Sequence, residues 1–298
     1  MLLAMVLRLA RFAGQTALRI AGGRPVRLDA GCAELVCWRF GPAGGEPWLL
    51  LHGLASSALA WRPVVPRLSA DGCRLVVPEL SALGGSICPD GGLAVADGVA
   101  AAAALIEREL GGGPVTVAGQ SLGGWMAVRL ALARPDLVSR LVLVDAGGYR
   151  DQDWDQIEEL VTVTEPADVT PLYGALFQRV PAPLRIGRGV FYRAYSSPVV
   201  RAILSKLRIE DTYDDRDLAR LHQPAALIWG EHDGLFTFGT AERMAAAFPR
   251  ARLYKVPGCG HAIQWECPGA LADAVAEFHA ATGGRSGAAS PAPAGPAA

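Results

Sequence analysis

Eight short apolar runs, separated by helical patterns and turn residues, constrain the fold of this chain more than any other feature. The runs lie at 26–29, 34–40, 48–51, 74–77, 115–118, 141–144, 225–229 and 252–256. Helical patterns fill 59–70, 93–110, 122–133, 241–247 and 268–281. Several runs, such as Leu49-Leu50-Leu51 and Leu141-Val142-Leu143-Val144, are apolar at every position. A strand of that kind must be covered on both faces. Strand and helix in alternation therefore predict the α/β class: a doubly wound, mostly parallel, eight-stranded sheet over 24–148 and 223–282. A chain of 298 residues, 51% of them hydrophobic, can close one large core of this sort.

Three segments break the rhythm. From Tyr149 to His222 there is no strong apolar strand, only charged clusters (151–155, 211–217) and scattered aromatics. A structureless loop of that length is improbable in a compact domain, so 149–222 is predicted to be a helical insertion. It follows the carboxyl end of a strand, where α/β folds bind ligands, and so is expected to act as a lid. Residues 1–23 are apolar but interrupted by Arg8, Arg11 and Arg19. The arginines argue against a secretory signal or a membrane span and for an amphipathic helix, packed on the domain or lying on a membrane surface. Residues 283–298 are Gly, Ser, Ala and Pro with one arginine and read as a disordered tail.

A net charge of −1 argues against a nucleic-acid surface. The six cysteines (32, 37, 73, 88, 259 and 267) form no Cys-x-x-Cys pair. No metal, no cofactor and a reduced, cytoplasmic protein are the expectations.

The chemistry concentrates in four short motifs. Gly119-Gln120-Ser121-Leu122-Gly123 joins an apolar run to a helical pattern. Its glycines let strand and helix close on a sharp turn, which presents the Ser121 hydroxyl at a helix N-terminus, where developing negative charge is favoured. His52-Gly53-Leu54 ends an earlier run. The N–H of Leu54, with that of Leu122, is placed to hold an oxyanion. His52 is a less favoured base than a brace for its own loop. Gly230-Glu231-His232-Asp233 offers Asp233 as the acid, with Glu231 and Asp145 as rivals. Pro257-Gly258-Cys259-Gly260-His261 follows the last run and offers His261 as the base. His222 and His279 lack such a setting.

In chain order these read Ser121, Asp233, His261: nucleophile, acid, base. On these four motifs the chain resembles the α/β-hydrolase superfamily from about residue 24 to 281. The resemblance implies a serine esterase of the carboxylesterase kind, acting on a hydrophobic small-molecule ester through an acyl-enzyme. The segment Gln264-Trp265-Glu266 also resembles the meta-cleavage-product hydrolases, which cut carbon–carbon bonds. Trp265, Phe191 and Tyr195 are expected to face substrate. The loop Pro78-Glu79-Leu80-Ser81 departs from the family, with Glu79 where Asp is usual. A non-catalytic binding protein on this fold is the alternative of a different class.

Overall fold

The computed structural model describes residues 2–283, so all of the predicted tail beyond Gly283 lies outside the described residues. The strands are β1 (Arg24–Asp29), β2 (Glu34–Phe40), β3 (Glu46–Leu51), β4 (Cys73–Pro78), β5 (Val115–Gln120), β6 (Val138–Val144), β7 (Ala225–Gly230) and β8 (Ala251–Val256). Each predicted run lies inside one of them. They form a single sheet in the order β1-β2-β4-β3-β5-β6-β7-β8. The pairs β1·β2 and β2·β4 are antiparallel and all the others parallel.

The helices, in chain order, are α1 (Leu2–Ile20), α2 (Val65–Ala70), α3 (Val95–Glu109), α4 (Leu122–Ala133), α5 (Trp154–Val161), α6 (Val169–Leu176), α7 (Ala182–Ile186), α8 (Arg188–Tyr195), α9 (Pro198–Leu204), α10 (Asp215–Ala219), α11 (Phe238–Ala247), α12 (Ile263–Glu266) and α13 (Pro268–Ala281). None is long and apolar enough, among the described residues, to cross a membrane.

Strand alternation divides the core in two. Leu49, Leu51, Val117, Leu141, Leu143 and Leu227 point to the face covered by α3, α4 and α11. Their neighbours Trp48, Leu50, Ala118, Val142, Val144 and Ile228 point to the other, where α2, α13 and Leu18 of α1 pack. A period-2 strand that is apolar throughout supplies both faces at once. α4 is buried nearly all round because it lies in the centre of its layer, against β3, β5 and β6.

The helix predicted over 59–70 is divided. A 3₁₀ turn (Ala58–Trp61) comes first and α2 starts only at Val65. Pro63 and Pro66 supply no N–H to a continuous helix, which explains the break. Between β6 and β7, the segment predicted to be helical carries α5 to α10. It has a small core of its own, with Val163, Val169, Leu172 and Phe177 packed together and against Ala262.

Because β4 lies on one side of β3 and β5 on the other, the loops after β3 and β5 diverge at one point of the sheet's carboxyl edge. Such a reversal opens a crevice. In register, Leu51 of β3 lies beside Gly119 of β5, so His52-Gly53-Leu54 and Ser121 leave the sheet as neighbours.

Candidate active site

Ser121 lies between the end of β5 and the start of α4, with φ 53° and ψ −118°. A non-glycine residue at positive φ costs about 1–3 kcal/mol and persists only where its surroundings fix it. Here Ser121 N–H donates to Val144 O (3.0 Å), and Ser121 O accepts from Trp125 N–H and Gly147 N–H (both 3.1 Å). The flanking glycines are steric necessities. A Cβ on Gly119 would stand 2.2 Å from Gly123 O, and one on Gly123 would stand 2.2 Å from Leu51 O.

The predicted acid and base meet. Nδ1 of His261, in the loop after β8, is 2.8 Å from Oδ2 of Asp233, in the loop after β7. Both residues are buried. The other carboxylate oxygen of Asp233 accepts the N–H groups of Leu235 (2.8 Å) and Phe236 (2.9 Å). The Phe236 ring stands edge-on to the imidazole, centroids 5.3 Å apart. Ser121 and His261 open into the same cavity, with no hydrogen bond between them among the described residues. The N–H groups of Leu54 and Leu122 also make no hydrogen bond among the described residues, which leaves two donors free beside Ser121.

The rival residues do not hold the imidazole. Glu231 pairs with Lys255 (2.8 Å) and accepts the N–H of Gly258 (3.1 Å); these contacts hold its carboxyl below the ordinary range. His52 is buried and braces its loop, as expected. Its Nδ1 is 2.9 Å from Gly53 O, and its Nε2 accepts Leu80 N–H at 3.0 Å. With both ring nitrogens engaged and its pKa pushed down to about 4 by burial, it is a neutral structural group. His279 is buried and packs edge-on against Trp48, and neither lines the cavity that Ser121 and His261 share. Asp145, the other rival acid, ends β6 and is fully buried. It lies close to Asp233 but does not hold the imidazole.

The cavity has a volume of about 570 Å³. Leu54, Leu122, Trp125, Leu235 and Phe236 supply apolar wall, and Phe191, Tyr195 and Trp265 also line it. The lining also includes Glu79, in the loop that departs from the family, and Arg11 and Gln15 of α1, which the sequence reading did not place there. Nothing local in the sequence ties the first helix to a loop after β4. Glu266 was missed as well. Its carboxylate accepts N–H groups from Gly260 (2.8 Å), Arg179 (2.6 Å) and Gln178 (3.2 Å), and so fastens the His261 loop to the inserted helices. Ala262 N–H to Leu176 O (3.1 Å) and Gly234 N–H to Ala175 O (3.0 Å) tie the same helices to both loops.

Comparison with known proteins gives a consistent result. A family model described as alpha/beta hydrolase fold matches residues 46–268. The pimeloyl-[acyl-carrier protein] methyl ester esterase of Nitrosomonas europaea is 32% identical over 238 residues, 73% of this chain and 89% of that protein. The 2-hydroxy-6-oxononadienedioate/2-hydroxy-6-oxononatrienedioate hydrolase of Cupriavidus pinatubonensis is 26% identical over 262 residues, 79% of this chain and 87% of that protein. Among solved structures, a membrane phospholipase A shares the fold with a TM-score of 0.78 at 23% identity, over 93% of this chain and 91% of that one.

Proposed function

The chain belongs to the α/β-hydrolase fold family, and from that premise we propose that it is a serine hydrolase cleaving carboxylic esters of hydrophobic small molecules. The observation that carries this reading is the 2.8 Å His261–Asp233 bond, opening into the same cavity as a serine held at positive φ. Asp233 fixes the imidazole with Nδ1 as donor, which leaves Nε2 free to take the Ser121 proton. Ser121 attacks the carbonyl, and the N–H groups of Leu54 and Leu122 hold the oxyanion. The alcohol leaves with the proton from His261. The same imidazole then draws a proton from water, which hydrolyses the acyl-enzyme. The apolar wall favours an acyl or aryl group over a sugar or nucleotide. The inserted helices, bound to both catalytic loops, serve as the lid.

Carbon–carbon hydrolysis is the second reading. Arg11 and Arg193 are the cations that the cavity would offer to the carboxylates of a dienone diacid. A panel of p-nitrophenyl esters of increasing length, run beside such a diacid, separates the two. Turnover of the esters well above that of the diacid supports the first reading, and the reverse order replaces it. Fluorophosphonate should label Ser121, and Ser121→Ala should abolish labelling and lower turnover by several orders of magnitude with the fold intact. An unlabelled, inert wild type would mean a binding protein instead.

A further inference from the structure

Asp145 is a buried carboxyl that the proposed reaction does not use. It closes β6 at a positive φ of 43° and is 0% exposed. Its Oδ1 accepts the N–H of Gly230 at 2.8 Å. Its Oδ2 is buried and meets no N–H or hydroxyl donor among the described residues. One carboxylate oxygen of Asp145, one of Asp233 and a ring nitrogen of His261 all lie within 4.8 Å of one another. Two carboxyls so close in a buried site disfavour double ionisation, because burial leaves their repulsion little screened.

The donors decide which of the two keeps the charge. Asp233 accepts two backbone N–H groups and the imidazole. Asp145 accepts one N–H. The other titratable groups facing Asp145 reinforce the difference. Glu266 of α12 has its carboxylate capped by backbone N–H groups and adds only negative potential, and the Cys259 thiol is pushed up by burial and stays neutral. Burial and the Asp233 charge both drive the Asp145 carboxyl well above the ordinary range.

We propose that Asp145 is a positioning residue that stays protonated at neutral pH and donates its Oδ2 proton as a hydrogen bond to the carboxylate of Asp233. The acid of the site is then a pair of carboxyls sharing one negative charge. The bond completes the coordination of Asp233 and tempers its hold on the imidazolium that forms during acyl transfer. This inference rests on the triad reading above.

The test is the pH dependence of kcat/KM for a short p-nitrophenyl ester, in the wild type, Asp145→Asn and Asp145→Leu. An asparagine amide can donate to Asp233 as the acid does. Asp145→Asn should therefore stay within about fivefold of wild type with the rising limb in place. Asp145→Leu removes the donor and leaves a more basic Asp233. It should lose about 10- to 100-fold in kcat/KM, with the limb moved to higher pH by about half a unit or more. An ionised Asp145 gives the opposite pattern, since its replacement by Asn removes a negative charge beside the imidazole and moves the limb down. That result overturns the proposal, as does a limb unmoved in both variants, the mark of a purely structural residue. Should Asp145→Leu fail to fold, infrared spectroscopy decides. In a Glu79→Gln background, which removes the other buried carboxyl of raised pKa, the protein at pH 8 should show a protonated carboxyl band that adding Asp145→Asn abolishes, and persistence of the band in that double variant refutes the assignment. Fluorophosphonate labelling of the wild type tests the triad separately, so a failed triad is distinguishable from a misassigned proton.

Discussion

His52 and Glu79 are buried side by side, Nε2 to Oε2 3.8 Å, and burial moves each of them away from its ordinary charge state. The imidazole falls from 6.5 to about 4. The carboxyl rises from 4.5 to about 7, chiefly by desolvation, although the Ala58 N–H, the Trp38 indole and the charge of Arg11 oppose it. The signs are opposite. Stability contributed by Glu79 is complete below pH 4.5 and is lost as pH rises to about 7; that contributed by His52 is complete above 6.5 and is lost as pH falls to about 4. Between 4.5 and 6.5 the unfolded chain carries imidazolium and carboxylate, while the folded chain carries the neutral pair. Each state holds one proton, so the two slopes cancel there. Glu79→Gln should uncover the His52 slope, a loss on the order of 3 kcal/mol relative to wild type as pH falls from 6.5 towards 4. Urea unfolding at a series of pH values measures it, and curves parallel to wild type would contradict the paired account. The sequence showed that His52 stands in a loop, but its neutral state follows from burial in the fold, which no local motif records.

At the scale of elements, the strands were legible because an apolar run covered on both faces leaves its mark in consecutive residues, as in Leu141 to Val144. The four motifs at strand ends were legible for a related reason: each turn must be made by the residues that occupy it. The inserted helices were legible only as a class. α7 and α8 bury no residue fully, so they have no strong apolar stripe to reveal their limits. Glu266 was unreadable as a clamp because its partners, Gln178 and Arg179, come from the insertion. The close approach of α4 to the end of β3 is the element-scale contact most open to test. Gly123→Ala puts a methyl 2.2 Å from the carbonyl oxygen of Leu51, a main-chain atom that moves only with its strand. Thermal unfolding should register a loss of about 1–3 kcal/mol or more, or yield no soluble protein. Gly44→Ala meets nothing within 4 Å and should be neutral to within about 0.5 kcal/mol. Equal effects of the two substitutions would mean that strand and helix do not approach so closely in solution.

For the molecule as a whole, α1 is the element whose role was least determined by sequence. An amphipathic helix fits a protein core and a membrane surface alike. In the fold, Leu18 is buried in the core beneath the sheet, and the Arg19 guanidinium lies 5.5 Å from the centre of the Trp38 ring. One turn and more before Leu18, Gly14 and Arg11 line the cavity that holds Ser121, and Arg11 also packs over Gly85. The helix therefore joins core to cavity as one wall, opposite in the chain to the inserted helices that form another. Removing residues 1–20 should have two separable effects. Loss of Leu18 from the core should lower stability by about 1.5–3 kcal/mol, read as a fall in Tm. Loss of Arg11, Gly14 and Gln15 should open the cavity to water and raise KM for long-chain p-nitrophenyl esters severalfold more than for the acetate, because only the longer acyl group reaches that wall. Labelling of Ser121 should persist, since none of its backbone hydrogen bonds involves α1. An equal change in KM for short and long esters, with labelling retained, would mean that α1 supports the core but does not face the substrate.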